Sequence, residues 1–211
     1  MPTESAQQAL SVLRDASHFQ WYVISLLGLT VYVYGSEIYA GRWNLVFAGL
    51  AFWGADWINE ILNGIFFHLN GRAPLWGTPG SSAYVLLIGL NIEIMFMFAI
   101  AGIAWSKFLL PNPKTKLLGL PNRWAVALSG SLISVIVELL LNKIGALTWD
   151  WSWWDANSPW LIYIFGYLWF FVIAFWVHDM NDTKKQMKTV GALWALIAGL
   201  ILLFGVGLRW I

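Results

Sequence analysis

Long apolar runs fill this chain, and short polar breaks separate them. Six runs approach or exceed the roughly 20 helical residues needed to cross a hydrocarbon core about 30 Å thick. They cover residues 21–39, 43–67, 82–105, 124–147, 159–177 and 190–210. The breaks are rich in Gly, Pro, Asn and Asp: Gly41-Arg42, Asn70-Gly-Arg-Ala-Pro74, Pro111-Asn-Pro113 and Asp155-Ala-Asn-Ser-Pro159. The pattern predicts an all-α polytopic membrane bundle of about six transmembrane helices, with residues 1–211 forming one domain. Residues 1–18 are polar and hold no apolar core before a small-residue cleavage site, so an interfacial N-terminal segment is expected rather than a cleavable leader.

Polar residues inside the runs are the informative ones, because an ionised side chain at the bilayer centre costs about 2.5–3.5 kcal/mol on insertion scales. In the second run Asp56, Asn59, Glu60 and Asn63 recur at helical spacing and share one face. Ser131, Ser134, Glu138 and Asn142 do the same in the fourth. The two stripes predict that these helices pack stripe to stripe. Trp43, Glu60, Asn63 and Ser82 are matched in order by Trp124, Glu138, Asn142 and Ser158, which suggests an internal repeat of parallel orientation.

Depth ranks the acids. At 1.5 Å per residue, Glu60 lies about 25 Å along the second run and Glu138 about 20 Å along the fourth, whereas Glu93 falls about 16 Å into the third, near the midplane. Asp56, one turn inward of Glu60, has a short side chain that snorkels poorly. Glu93 and Asp56 are therefore the expected acids of a buried site shaped by Glu60 and Glu138. Asn59, Asn63, Asn91, Asn142 and the indoles of Trp149 and Trp151 are the expected ligand contacts. Glu37 and the His178-Asp179 pair read as solvated helix ends.

Composition narrows the chemistry. Of 211 residues, 59% are hydrophobic and 11% charged, and the net charge of +1 gives no basic face for nucleic acid. Cysteine is absent, which excludes disulfides and thiolate chemistry. The three His fall at different depths, and carboxylates alone are a weak metal signal, so no metal or cofactor is expected. Gly-x-Ser-x-Gly and phosphate-binding loops are missing. Many of the 16 Trp, including Trp21, Trp43, Trp105, Trp124 and Trp210, fall near predicted span ends, as amphipathic rings do at headgroup depth. Arg42, Lys107, Lys114, Lys116, Arg123, Lys184, Lys185 and Lys188 fall on one side, against Arg14, Arg72, Lys143 and Arg209 on the other. The bias places both termini on the non-cytoplasmic side of a multi-pass protein.

An acid on one helix, a Gly, a Trp-rich turn and a Pro opening an aromatic helix occur here as Glu138, Gly145, Trp149-Asp-Trp151, Pro159 and Trp169-Phe-Phe171. This layout resembles the membrane lycopene cyclase domain and related carotenoid-processing proteins, although the Pro-x-Glu-Glu signature of that family is absent. The resemblance implies proton-initiated cyclisation or hydration of an isoprenoid by membrane carboxyls. Asp56-Trp-Ile-Asn59 and the runs after it are similar to a membrane subunit of copper-dependent methane or ammonia monooxygenases, which implies a subunit role instead.

The residues support an intramembrane enzyme acting on an apolar isoprenoid or lipid by acid catalysis (cyclisation, hydration or isomerisation). Membrane lipid and an apolar small molecule are then its partners. The alternatives are a non-catalytic membrane subunit or ligand-binding protein with a protein partner, and a small proton-coupled transporter.

Overall fold

The computed structural model describes residues 1–211 and is an all-helical bundle with two small hairpins. The helices are α1 (Glu4–Val12), α2 (Tyr22–Tyr39), α3 (Trp43–Asn70), α4 (Ile92–Ser106), α5 (Asn122–Lys143), α6 (Pro159–His178) and α7 (Thr183–Gly207). Strands β1 (Val85–Leu87) and β2 (Leu90–Asn91) pair antiparallel before α4, and β3 (Lys116–Leu117) and β4 (Leu120–Pro121) before α5. Four helices, α3, α5, α6 and α7, are long and apolar enough to cross a membrane, while α4 is an apolar helix of 15 residues.

The third apolar run thus becomes a helix later than its hydropathy suggests, at Ile92 instead of Ser82. Gly89 and the β1–β2 hairpin use up the first residues, and Asn91 caps α4 by accepting a hydrogen bond from the Ile94 amide at 2.8 Å.

Helix α3 is the axis of the bundle and packs against α2, α4, α6 and α7. Its central turns meet Phe98 of α4, Val126 and Ala127 of α5, and Phe170, Phe171 and Phe175 of α6 in one aromatic core around Phe52. Helices approach closely where side chains are small, as is usual in membranes. A Cβ built on Gly102 of α4 would lie 2.9 Å from the Cα of Gly49 on α3 and 2.5 Å from the Cβ of Phe52. The α3–α4 crossing is therefore set by a glycine pair.

Hydrogen bonds define the two ends of the bundle. At the basic end Glu37, fully buried, receives Arg42 Nε and Lys107 Nζ, each at 2.5 Å, joining α2 to the start of α3 and the end of α4. His178 bridges Asn44 (2.8 Å) and Asp179 (2.9 Å), and Arg123 of α5 grips Asp179 through two nitrogens at 2.7 and 2.9 Å. Glu37 and the His178-Asp179 pair were expected as solvated helix ends; instead they tie helix ends together, because three of the basic residues that mark this face, Arg42, Lys107 and Arg123, converge on two acids. Helices α3 and α5 both start here and run in the same direction, as the proposed repeat requires. Their surroundings differ, since α3 is central and α5 packs chiefly on the first half of α6.

At the opposite end the 71–84 and 145–158 loops close over the bundle. Gly77 and Thr148 exchange backbone hydrogen bonds of 3.0 and 2.9 Å. Helix α1 docks on this roof through Ser5 and Thr3, whose hydroxyls donate to Asp150, and through buried Ala6 and Ala9.

Two predictions follow from this packing. Gly102→Val forces the α3–α4 crossing apart and lowers stability by about 1–3 kcal/mol, the usual cost of overpacking, measurable as a drop in melting temperature in detergent. Burial raises the Asp179 carboxyl, but hydrogen bonds from Arg123 and His178 outweigh it and hold the group below its ordinary 3.8. A depressed carboxyl stabilises the fold fully above its unfolded value and loses that contribution as pH falls through the folded one. The melting-temperature gap between wild type and Asp179→Asn should therefore be constant near neutrality and close below about pH 4.

Candidate functional site

The polar stripe of α3 ends up facing a cavity. Asp56, Asn59 and Glu60 line it from one side, and Ser134 and Glu138 of α5 line it from another. The cavity measures about 210 Å³. Helices α3 and α5 were expected to pack stripe to stripe; they instead stand apart across this space, with Gly166, Tyr167 and Phe170 of α6 between them. Aromatic bulk keeps them separated, because Phe52, Phe98, Phe170 and Tyr167 fill the position a second polar helix would need.

Each carboxyl is almost completely removed from the surface: Asp56 and Glu60 are 3% exposed and Glu138 is 5% exposed. Glu60 Oε1 accepts a 2.9 Å hydrogen bond from the Trp76 indole. The Tyr167 hydroxyl and the Trp149 indole lie beside Glu138. One oxygen of every acid, Asp56 Oδ2, Glu60 Oε2 and Glu138 Oε2, has no partner. Asp56 and Glu60 are near enough to interact electrostatically, as are Glu60 and Glu138, and Tyr167 lies within the field of all three. No Lys, Arg or His borders the cavity. The acids do not close into a cage that would hold a metal ion.

The local fold explains this placement. Residues Ile162–Leu168 of α6 form a π-helical segment, a widening of the helix often found at functional sites. Asn59 Nδ2 donates to the carbonyls of Phe165 and Gly166 in that segment, at 3.2 and 3.3 Å. The segment turns Tyr167 toward the acids. Gly89 of the β1–β2 hairpin also fits closely, since a Cβ there would sit 2.3 Å from the Trp76 indole nitrogen. The absence of a side chain at Gly89 lets Trp76 reach Glu60.

The cavity opens sideways. Met97 of α4 and Ile133 and Val137 of α5 line it and are also exposed, at 45%, 49% and 40%. Met97 and Ile133 lie near the middle of their helices and Val137 one turn farther toward the loop end, so the mouth is a gap between α4 and α5 on an apolar, exposed face. The far wall is closed by Trp76, Leu147 and Trp154 beneath the loops.

The remaining sequence candidates lie elsewhere. Glu93 stands in the first turn of α4 and receives hydrogen bonds from Ser82 (2.6 Å), the Ala83 amide (2.8 Å) and Tyr22, and it does not border the cavity. Its expected midplane depth assumed a helix from Ser82 onward. Asn91 is the α4 cap. Asn63 holds the 71–84 loop through the Trp76 carbonyl and the Leu75 amide, both at 2.7 Å, and Asn142 holds the other loop through the Leu147 carbonyl at 3.0 Å. Trp151 donates to the Pro74 carbonyl at 3.0 Å and stacks under Arg72. Trp149 alone of the two expected indoles lies beside an acid, Glu138, and its indole nitrogen is left without a hydrogen-bond partner. Sequence reading missed Tyr167, Trp76 and Trp154. Only the Gly166-Tyr167 pair, a small residue beside a polar aromatic inside an apolar run, hinted at the first.

A family model described as "Uncharacterized membrane protein family" matches residues 3–206. An uncharacterized protein of Archaeoglobus fulgidus is 48% identical over 211 residues, covering all of both chains. A second uncharacterized protein of the same organism is 43% identical over 53 residues, which is 25% of this chain and 95% of that one. No solved structure matches. These findings overturn the resemblance to the lycopene cyclase domain: the family model that matches is that of an uncharacterized membrane protein family, and the relatives are uncharacterized archaeal proteins. With 48% identity along its whole length to an archaeal protein and a family match from residue 3 to residue 206, the chain belongs to this uncharacterized membrane protein family.

Proposed function

We propose that the protein is an intramembrane enzyme that takes a lipid-soluble small molecule from the bilayer and transfers protons to and from it with Asp56, Glu60 and Glu138. The observation that carries this reading is the combination of a mid-helix opening between α4 and α5 with buried carboxyl oxygens that lack partners behind it. Ligand sites are typically apolar concavities with a few convergent polar groups, and this cavity has that composition. Such groups at membrane depth carry a cost that structural packing alone does not require. Tyr167, close to all three acids, is placed to relay or share a proton. The isoprenoid assignment rested on the discarded family likeness and is not retained.

By the bias of Lys and Arg, the basic end faces the cytoplasm and the loop roof, with both termini, faces outward. The acids then lie in the outer half of the membrane.

Untargeted mass spectrometry of an archaeal lipid extract, before and after incubation with the protein in nanodiscs, tests the enzymatic reading. At least one lipid-soluble component should be consumed by wild type, and Glu60→Gln or Glu138→Gln should slow its loss by about 10²–10⁴-fold, the usual span of acid–base contributions. An extract that wild type leaves unchanged, or equal rates in the variants, overturns it.

A further inference from the structure

The chemistry of the ligand is written in what the cavity lacks. Its charged lining consists of Asp56, Glu60 and Glu138, and no basic side chain offsets them. Each acid is more than nine-tenths buried and keeps an oxygen without a hydrogen-bond partner. Elsewhere in this molecule buried or half-buried acids have partners of their own: Glu37 pairs with Arg42 and Lys107, Asp179 with Arg123, and Glu93 accepts from Ser82, the Ala83 amide and Tyr22. The cavity acids break that rule. A buried carboxylate is relieved by a proton or by a cation with donors of its own, and the protein supplies no cation here.

The remaining lining is aromatic. Phe52, Trp76, Phe98, Trp154, Tyr167 and Phe170 surround the acids, and Trp76 and Trp154 stack with centroids 5.9 Å apart. Aromatic faces attract organic cations, most strongly where water is excluded. A hydrated metal ion gains little from such walls, and the acids do not form a metal cage. The mouth opens between α4 and α5 among exposed apolar side chains, which selects a cation carried by a hydrocarbon chain or ring system.

We infer that the site takes a lipophilic amine, bound as an ammonium whose N–H groups donate to the free oxygens of Asp56, Glu60 and Glu138 and whose apolar body lies along the Phe98–Phe170 wall toward Met97 and Val137. This inference rests on the cavity being the ligand site, as proposed above, and adds the class of ligand. Two or three donors on one nitrogen match acids contributed by α3 and α5, so the ligand would also bridge helices that have little direct contact with each other.

The test uses the full-length protein in phosphatidylcholine nanodiscs, with dodecylamine and dodecanol as paired probes and native mass spectrometry as the readout. Wild type should bind dodecylamine at least about tenfold more tightly than dodecanol. Glu60→Gln with Glu138→Gln should remove that preference, so that the two probes bind with similar affinity. Glutamine at 60 can still accept from the Trp76 indole, and unchanged melting temperature confirms that the fold is retained. Val137→Trp, which plugs the mouth, should weaken both probes. Equal binding of the two probes, both lost on plugging, overturns the amine inference and leaves the lipid-accessible site standing. Failure of both probes to bind wild type, or binding indifferent to the plug, overturns both.

Discussion

A bilayer core offers no water to buried polar groups, so every carboxyl, amide and carbonyl at membrane depth must find its partner inside the protein or in a ligand. The structure is organised around that constraint. Helix α3 carries Asp56, Asn59, Glu60 and Asn63 on one face, and it is the helix the others surround. Asn59 is satisfied by the π-helical carbonyls of α6, Asn63 by the 71–84 loop, and Glu60 by Trp76. The indole nitrogens of Trp53, Trp57, Trp149 and Trp154 are left without partners, and so, in one cavity, are three carboxyl oxygens, of Asp56, Glu60 and Glu138.

The same constraint links distant parts of the chain. Gly89 has no side chain, so Trp76 reaches Glu60; Asn63 fixes the backbone that carries Trp76; and Gly77 joins that loop to the one bearing Trp149 and Trp154. The roof of the cavity therefore depends on small polar contacts at the loop end, while its floor depends on Phe packing around Phe52. At the basic end Glu37 and Asp179 are ion-paired with Arg42, Lys107 and Arg123.

Much of this was legible in the sequence, and the failures have physical causes. The all-helical membrane class, the stripe on α3 and the nomination of Asp56, Glu60 and Glu138 came from spacing and hydropathy, which report directly on helix faces. Glu93 was misplaced because hydropathy cannot tell a buried β-hairpin from the first turns of a helix, and residues 82–91 are apolar in either form. The asparagines were nominated as ligand contacts because a polar residue in an apolar run signals a need without naming the partner; three of them serve loop backbone or a helix cap. Tyr167 was hidden because its orientation comes from a π-helical segment that leaves no mark on periodicity. The cavity itself is a property of how α4, α5 and α6 splay, and no single segment encodes it.

The central claim is that the acids stand behind an opening to the bilayer core, and photolabelling with a lipid-soluble alkyl diazirine in nanodiscs reads it directly. Carbene adducts mapped by peptide mass spectrometry should fall on Glu138 and on Glu60 or Asp56, and should disappear from all of them in Val137→Trp. Adducts restricted to outward-facing residues such as Leu132 and Leu140, with the acids unlabelled in wild type, would contradict it.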